Sequence, residues 1–396
     1  MRPEENPFAP GAGSPPPELA GRDQLREKVR IALARVRAQR PTKSLLRVGL
    51  RGVGKTVLLD RLRLDAQKSN LRCLRIEAPE GRSLPAILAP QLRLVLHDLS
   101  REPKATELAR RALRGLAGFA KALKVKHGDL EVGLDLDPEP GLADNGDLEH
   151  DLQTLLQVIG MAAKSAETAV SLFTDELQSV PEQDLAALIT ALHGVAQTQL
   201  PVCLVGAGLP QLPGKMGRAK SYAERLFDFT EIGALSPDAA KQALLKPLEE
   251  QSVTITDEAL ELIYQHTLGY PYFLQEWGKQ VWDVAVSPHI DREVVVAANR
   301  LAVATLDESF FRVRFDRLTP LEKRYLRAMA ELGPGPHRSG DIAAVMNRKV
   351  NSLAPTRNQL VAKGMIYSPI HGDTAFTVPL FDTFMRRILP GDEWRS

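Results

Sequence analysis

The chain has 396 residues, a length that points to two or three domains. Apolar residues at 44% and charged residues at 25% exclude a disordered, collagen-like or fibrous chain. The net charge of +2 hides a C-terminal excess of 14 Lys and Arg over 8 Asp and Glu from Arg312 onward, a hint of a polyanionic partner.

The opening MRPEENPFAP is acidic and broken by proline, unlike a signal peptide. Residues 1–18 are rich in Pro and Gly and are expected to form an extended arm. A helical pattern follows over 22–40, with Leu25, Val29, Ile31, Leu33 and Val36 as its apolar positions. Short apolar runs at 45–48, 71–76, 170–174, 202–206 and 227–232 read as strands, and helical patterns such as 152–163 and 184–196 separate them. Strands alternating with helices predict an α/β fold with a parallel sheet covered on both faces.

An insertion at 81–146 divides the second strand from the third; its stretch 101–126 carries 8 basic and 2 acidic residues, and the hairpin-like GDLEVGLDLD follows. From Leu235 to about 315 only helices are expected, and the remainder forms a further unit. The longest apolar run, 200–210, is far below the roughly 18 residues of a membrane helix, so no membrane partner is expected. Cys73 and Cys203 lack metal or redox spacing and read as reduced core residues of a cytoplasmic protein.

The strongest motif is Gly49-Leu50-Arg51-Gly52-Val53-Gly54-Lys55-Thr56, which fits G-x-x-x-x-G-K-[ST]. Glycines let backbone N–H groups turn inward onto a phosphate, and the helix that follows adds its positive end. The phosphate-binding set is Gly49, Arg51, Gly52, Val53, Gly54, Lys55, Thr56 and Val57, with Lys55 on the outer phosphates and the Thr56 hydroxyl on Mg²⁺. The run Ser171-Leu172-Phe173-Thr174-Asp175-Glu176 supplies the acidic partner: Asp175 for the Mg²⁺ shell, Glu176 to orient or deprotonate the attacking water.

Over roughly residues 18–390 the arrangement resembles the AAA+ ATPases, within them the origin-recognition (initiator-type) and STAND branches. Glu18-Leu19-Ala20-Gly21-Arg22-Asp23 resembles the box that lies against the adenine, which implies that Gly21 and Arg22 bind the nucleotide. Asp175-Glu176-Leu177-Gln178 resembles the acidic motif, and Gly269-Tyr270-Pro271 the GxP motif whose proline, here Pro271, packs near the base. Arg225 resembles the arginine finger that a neighbouring subunit inserts, which implies a homo-oligomer on ATP binding. Two departures bear on turnover. The fourth strand ends in Val205-Gly206-Ala207-Gly208-Leu209 without the usual polar residue, and Tyr272 stands where many relatives carry a phosphate-contacting arginine. Both leave nucleotide binding intact and argue for slow hydrolysis.

Near the C-terminus, 318–332 reads as a helix with a Thr319–Glu322 capping box, and 339–346 and 353–363 as two more. A hairpin over 365–367 and 375–378 follows. Three helices and a hairpin resemble a winged helix-turn-helix, whose third helix enters the major groove. Arg357 falls on the apolar side of that helix and is structural; Arg348, Lys349, Asn358 and Gln359, with His371 on the wing, are the DNA candidates.

The expected organisation is an arm at 1–18, an ATPase core at 19–233, a helical lid at 234–311 and a winged helix at 312–396. ATP and Mg²⁺ between core and lid would control access of the winged helix to duplex DNA. The alternatives are a STAND-like regulatory ATPase whose winged helix binds a protein partner, and a nucleotide-binding protein with little turnover.

Overall fold

The computed structural model describes every residue except 12, 79–81, 124–136, 371 and 396. The expected hairpin GDLEVGLDLD and His371 lie, wholly or in most part, outside the described residues. The chain divides into two units, one of residues 22–48 and 55–231, the other of residues 1–21, 49–54 and 232–396.

The first unit holds a sheet of five parallel strands, β1 (Ser44–Val48), β2 (Arg72–Glu77), β3 (Val170–Asp175), β4 (Val202–Gly208) and β5 (Phe227–Glu231), in the order β2-β3-β4-β1-β5. Every residue of β3 and β4 is buried, which is why both read as continuous apolar runs. Helices α1 (Asp23–Arg37), α2 (Lys55–Lys68), α3 (Leu84–Leu99), α4 (Thr106–Ala122), α5 (Leu148–Ser165), α6 (Glu182–Gln197) and α7 (Leu212–Ala219) belong to the same unit. In α1 the buried stripe is Val29, Ala32, Leu33 and Val36, so Ile31 of the expected apolar set turns out to solvent. The basic insertion becomes an amphipathic helix: α4 buries Leu113, Leu116 and Phe119, while Arg111 and Arg114 pair with Glu139 at 2.9 and 3.2 Å.

One polar side chain lies at the heart of this sheet. Arg47 in β1 is 1% exposed, and none of its guanidinium nitrogens has a hydrogen-bond partner among the described residues. Burial holds its pKa below the ordinary value, and Asp228 on β5 opposes that shift. Asp228 itself is held by Lys28 at 2.6 Å.

The second unit carries the helices that follow the sheet: α8 (Pro237–Glu250), α9 (Asp257–Thr267), α10 (Pro271–Val284) and α11 (Arg292–Thr305). Contrary to the all-helical expectation, β6 (Thr254–Ile255) and β7 (His289–Ile290) pair in parallel; two-residue strands are too short to show periodicity. The N-terminal arm contains a 3-10 turn at Pro3–Glu5 and then runs along α10. The Phe8 ring covers Gly278 so closely that a Cβ there would come within 2.6 Å of it, and the Trp282 indole N–H donates to the Arg2 carbonyl at 2.8 Å.

A π-helical turn, Leu306–Phe311, leads through a single α-turn, Arg312–Phe315, into the C-terminal module. That module comprises α12 (Pro320–Leu332), β8 (His337–Arg338), α13 (Ser339–Val345), α14 (Val350–Ala362), β9 (Ile366–Tyr367), β10 (Asp373–Phe376) and α15 (Phe381–Ile388), with antiparallel order β8-β10-β9. The Thr319–Glu322 capping box is present, and the buried Glu322 also holds Lys363 at 2.6 Å. Arg357 is fixed by Thr374, Ser368 and the Asp373 carbonyl, a structural role.

Arg47 generates a stability prediction. Replacing it by Met leaves Asp228 still paired with Lys28, so Arg47→Met should be neutral or stabilise by up to about 2 kcal/mol. Asp228→Ala strips a buried cation of its compensating charge and should cost about 1–3 kcal/mol. Denaturant midpoints of the two variants check both signs; a large loss in Arg47→Met would show a bonding role for the guanidinium.

Candidate functional site

The segment Gly49–Gly54 leaves β1 and forms a loop whose backbone only glycine permits at three places. A Cβ on Gly49 would sit 2.2 Å from the Ile232 carbonyl oxygen, while Gly52 and Gly54 have φ of +82° and +84°. Val53 is buried and pins the loop. The Gly52 carbonyl accepts the Tyr272 N–H at 3.1 Å, and the Arg51 N–H donates to the Thr377 carbonyl at 3.0 Å. The Arg51 amide is thus committed to the protein and is not one of the amides free to cradle a phosphate. Pro271, the first residue of α10, places its Cβ 4.0 Å from where a Gly54 Cβ would stand.

Lys55 and Thr56 open α2, with the Lys55 side chain largely buried and Val57 in the same first turn. The Thr56 hydroxyl donates to Asp175 Oδ2 at 2.6 Å. Asp175 ends β3, and its Oδ1 accepts the Glu176 N–H at 2.8 Å. Burial pushes the Asp175 carboxyl above its ordinary pKa, against the lowering effects of those two hydrogen bonds and of Lys55. Glu176 sits in the left-handed region at φ 52°, a strained backbone for a glutamate. Its carboxylate accepts from the Gln178 amide, whose oxygen takes the Leu209 N–H at 2.9 Å.

Gln178 therefore stands at the end of β4, where the strand's own sequence lacks a polar side chain. It belongs to the site although sequence reasoning treated it only as part of a motif. The signal was its spacing, two residues beyond Glu176 in a 3-10 turn.

The donor set suits magnesium: a threonine hydroxyl and a carboxylate are hard oxygens 2.6 Å apart. Among the described residues no group of three or more His, Cys, Asp or Glu could hold a metal. A magnesium ion here would thus rest on Thr56 and Asp175, with phosphate and water oxygens completing its shell.

Gly21 has φ +68°, and a Cβ on it would meet Ala239 at 2.8 Å; Arg22 is buried, which lowers its pKa. Arg225 is exposed on the turn just before β5, at the opposite strand end from Asp175, and is not part of its own chain's acidic site. Arg348 and Lys349 are exposed just ahead of α14, and Asn358 and Gln359 are exposed along it.

Residues 18–205 match the family described as the AAA ATPase domain, and residues 308–385 match a domain of unknown function, DUF8462. Among curated protein sequences none matches the chain. Among solved structures, the Walker-type ATPase paby2304 of Pyrococcus abyssi is 14% identical, covers 93% of this chain and 96% of its own, and superposes with a TM-score of 0.59. Looser likenesses are the RuvB Holliday junction branch migration motor of Thermotoga maritima (16% identity, 90% and 92% coverage, TM-score 0.43) and the Orc1 protein of Aeropyrum pernix in complex with DNA (14%, 94% of each, 0.45). Those two add nothing to the fold assignment. The fold, the phosphate loop and the family match agree that residues 18–205 carry an AAA ATPase domain of the P-loop class. Nucleotide binding and, as a rule, magnesium come with that class. No helix among the described residues is long and apolar enough to cross a membrane.

The raised Asp175 pKa fixes a sign. Without a cation the folded chain binds this proton more tightly than the unfolded chain, so this group's contribution to stability improves as pH falls through the raised pKa. Asp175→Asn should remove that pH dependence and leave the metal-free protein at least as stable at neutral pH. It should also abolish the stabilisation by magnesium and nucleotide together. Melting curves across pH, with and without Mg-ATP, measure both effects.

Proposed function

We propose that this ATPase is a nucleotide-operated switch: Mg-ATP binding and slow hydrolysis at the phosphate loop govern engagement of duplex DNA by the C-terminal module. The observation that carries the first half is the Thr56–Asp175 hydrogen bond with Glu176 alongside. In this reading the loop amides and Lys55 hold the triphosphate, while Gly21, Arg22 and Pro271 border the base. Magnesium on Thr56 and Asp175 would neutralise charge on the outer phosphates. Glu176, oriented by Gln178, takes the proton of the attacking water as its oxygen bonds the γ-phosphorus and the bond to ADP breaks. With Tyr272 in place of an arginine, the lid helix itself offers no cation to the outer phosphate, which supports slow turnover. Arg225, remote from its own chain's acidic pair, would serve the site of a second copy.

We assign an arm to 1–18, the ATPase core to 19–233, a helical lid to 234–311 and a winged helix to 312–396. The basic charge and the order of helices and strands in the last of these support DNA contact, with Arg348 and Lys349 on phosphates and Asn358 and Gln359 facing base edges. His371 would extend the wing. A cytoplasmic location fits this role. The alternative reading is a winged helix that binds a protein partner.

ATP turnover by the full chain, measured with and without duplex DNA at low salt, tests the proposal. DNA should change the rate, and the change should fade as salt releases the phosphate contacts. Glu176→Gln should keep ATP bound while turnover falls about 100-fold or more. Turnover and ATP affinity both indifferent to DNA would remove the DNA half and favour the protein-binding module.

A further inference from the structure

Arg314 is a cation in an unusual place. It lies on the single turn between the π-helical segment and the C-terminal module. Its guanidinium carbon stands 4.2 Å from the centre of the Phe310 ring, and one of its nitrogens donates to the Phe310 carbonyl. Phe310 in turn stacks on Tyr272, with centroids 4.6 Å apart and planes at 27°. Tyr272 touches the phosphate loop: its N–H is bonded to the Gly52 carbonyl, and its Cβ lies 3.4 Å from where a Gly52 Cβ would be. Arg314 is thus linked to the loop through two stacked rings, Phe310 and Tyr272.

Its electrical surroundings are all wrong for an isolated structural arginine. Burial, with repulsion from Arg51 of the loop and from Arg317, brings its pKa down to about 10; only Tyr272 acts in the other direction. No carboxylate among the described residues forms an ion pair with it, whereas neighbouring arginines such as Arg327, Arg386 and Arg387 all have one. Arg51 and Arg314 lie close enough to repel one another, and neither forms an ion pair with an acidic residue among the described residues. Such a pair is complete only when an anion arrives, and the planar fork of arginine suits phosphate.

We propose that Arg314 is the arginine that contacts the outer phosphate of the bound nucleotide, supplied from the turn that leads into the C-terminal module rather than from the lid helix where Tyr272 stands. The proposal rests on ATP occupying the loop. It gives Tyr272 and Phe310 a purpose: they carry the guanidinium to the loop. It also makes the turn at Arg312–Phe315 a place where presence of the γ-phosphate is felt, because Phe311 of the preceding segment packs on Phe381 and Phe384 of the module. A nucleoside diphosphate, lacking the γ-phosphate, would leave Arg314 without its anion.

The test compares affinity for Mg-ATPγS with affinity for Mg-ADP in full-length wild type, Arg314→Ala and Arg314→Lys. Arg314→Ala should weaken ATPγS binding about 10-fold or more, the range of a charge-assisted hydrogen bond, and leave ADP affinity within about 2-fold. Arg314→Lys should restore part of the difference, since it keeps the charge and loses the fork. If Arg314→Ala does not fold, Arg314→Lys alone decides: a lowered ATPγS-to-ADP preference supports the assignment and an unchanged preference overturns it. Equal losses for both nucleotides, or none for either, would make Arg314 merely structural while leaving the ATP reading intact. A wild type that binds neither nucleotide would instead remove the ATP reading itself.

Discussion

The backbone of six residues, Gly49 to Gly54, is the constraint on which the rest depends. It must turn sharply enough to present amides to a phosphate, and at three positions a side chain would collide or strain. Such a loop has many peptide groups and little surface to bury, so it cannot hold itself. The protein fixes it through groups that a phosphate does not need: the Gly52 carbonyl takes Tyr272, and the Arg51 amide is tied to Thr377 of the C-terminal module. The loop conformation and the position of that module are therefore one structural problem. A change at either is felt at the other through ordinary hydrogen bonds.

Two ionisable groups near this loop sit in environments that disfavour their charge. Burial raises Asp175 and lowers Arg314, opposite signs with the same cause. Each surrenders some stability in the unliganded protein, as functional sites commonly do. Magnesium bound to a triphosphate carries the missing partner of each: the cation for Asp175 and a phosphate oxygen for Arg314. Arg47 shows the contrast. It is more deeply buried than either, has a countercharge in Asp228, and lies within β1, so it belongs to the sheet.

Much of this was legible in the sequence. Parallel strands buried on both faces have to read as apolar runs, and the glycine pattern of the loop admits few other conformations, so the sheet, Lys55, Thr56 and Asp175 were all recoverable. What escaped had no local signature. Gln178 reaches β4 only because Glu176 adopts a left-handed backbone, which no composition reveals. Arg314 is one arginine among many in a basic stretch, and its closeness to the loop depends on Phe310 stacking across more than thirty residues of sequence. The strands β6 and β7 depend likewise on tertiary pairing. Ile31 misled because a helix can carry one apolar residue on its wet face without penalty.

The central claim is that nucleotide at the loop is registered by the turn ahead of the C-terminal module. Amide hydrogen exchange of the full chain, with Mg-ATPγS and with Mg-ADP, tests it directly. Both nucleotides should protect the amides around Gly54–Val57, while only the triphosphate should add protection across Arg312–Phe315 and the neighbouring Thr377. Protection confined to the loop and the first turn of α2, identical for the two nucleotides, would contradict the account.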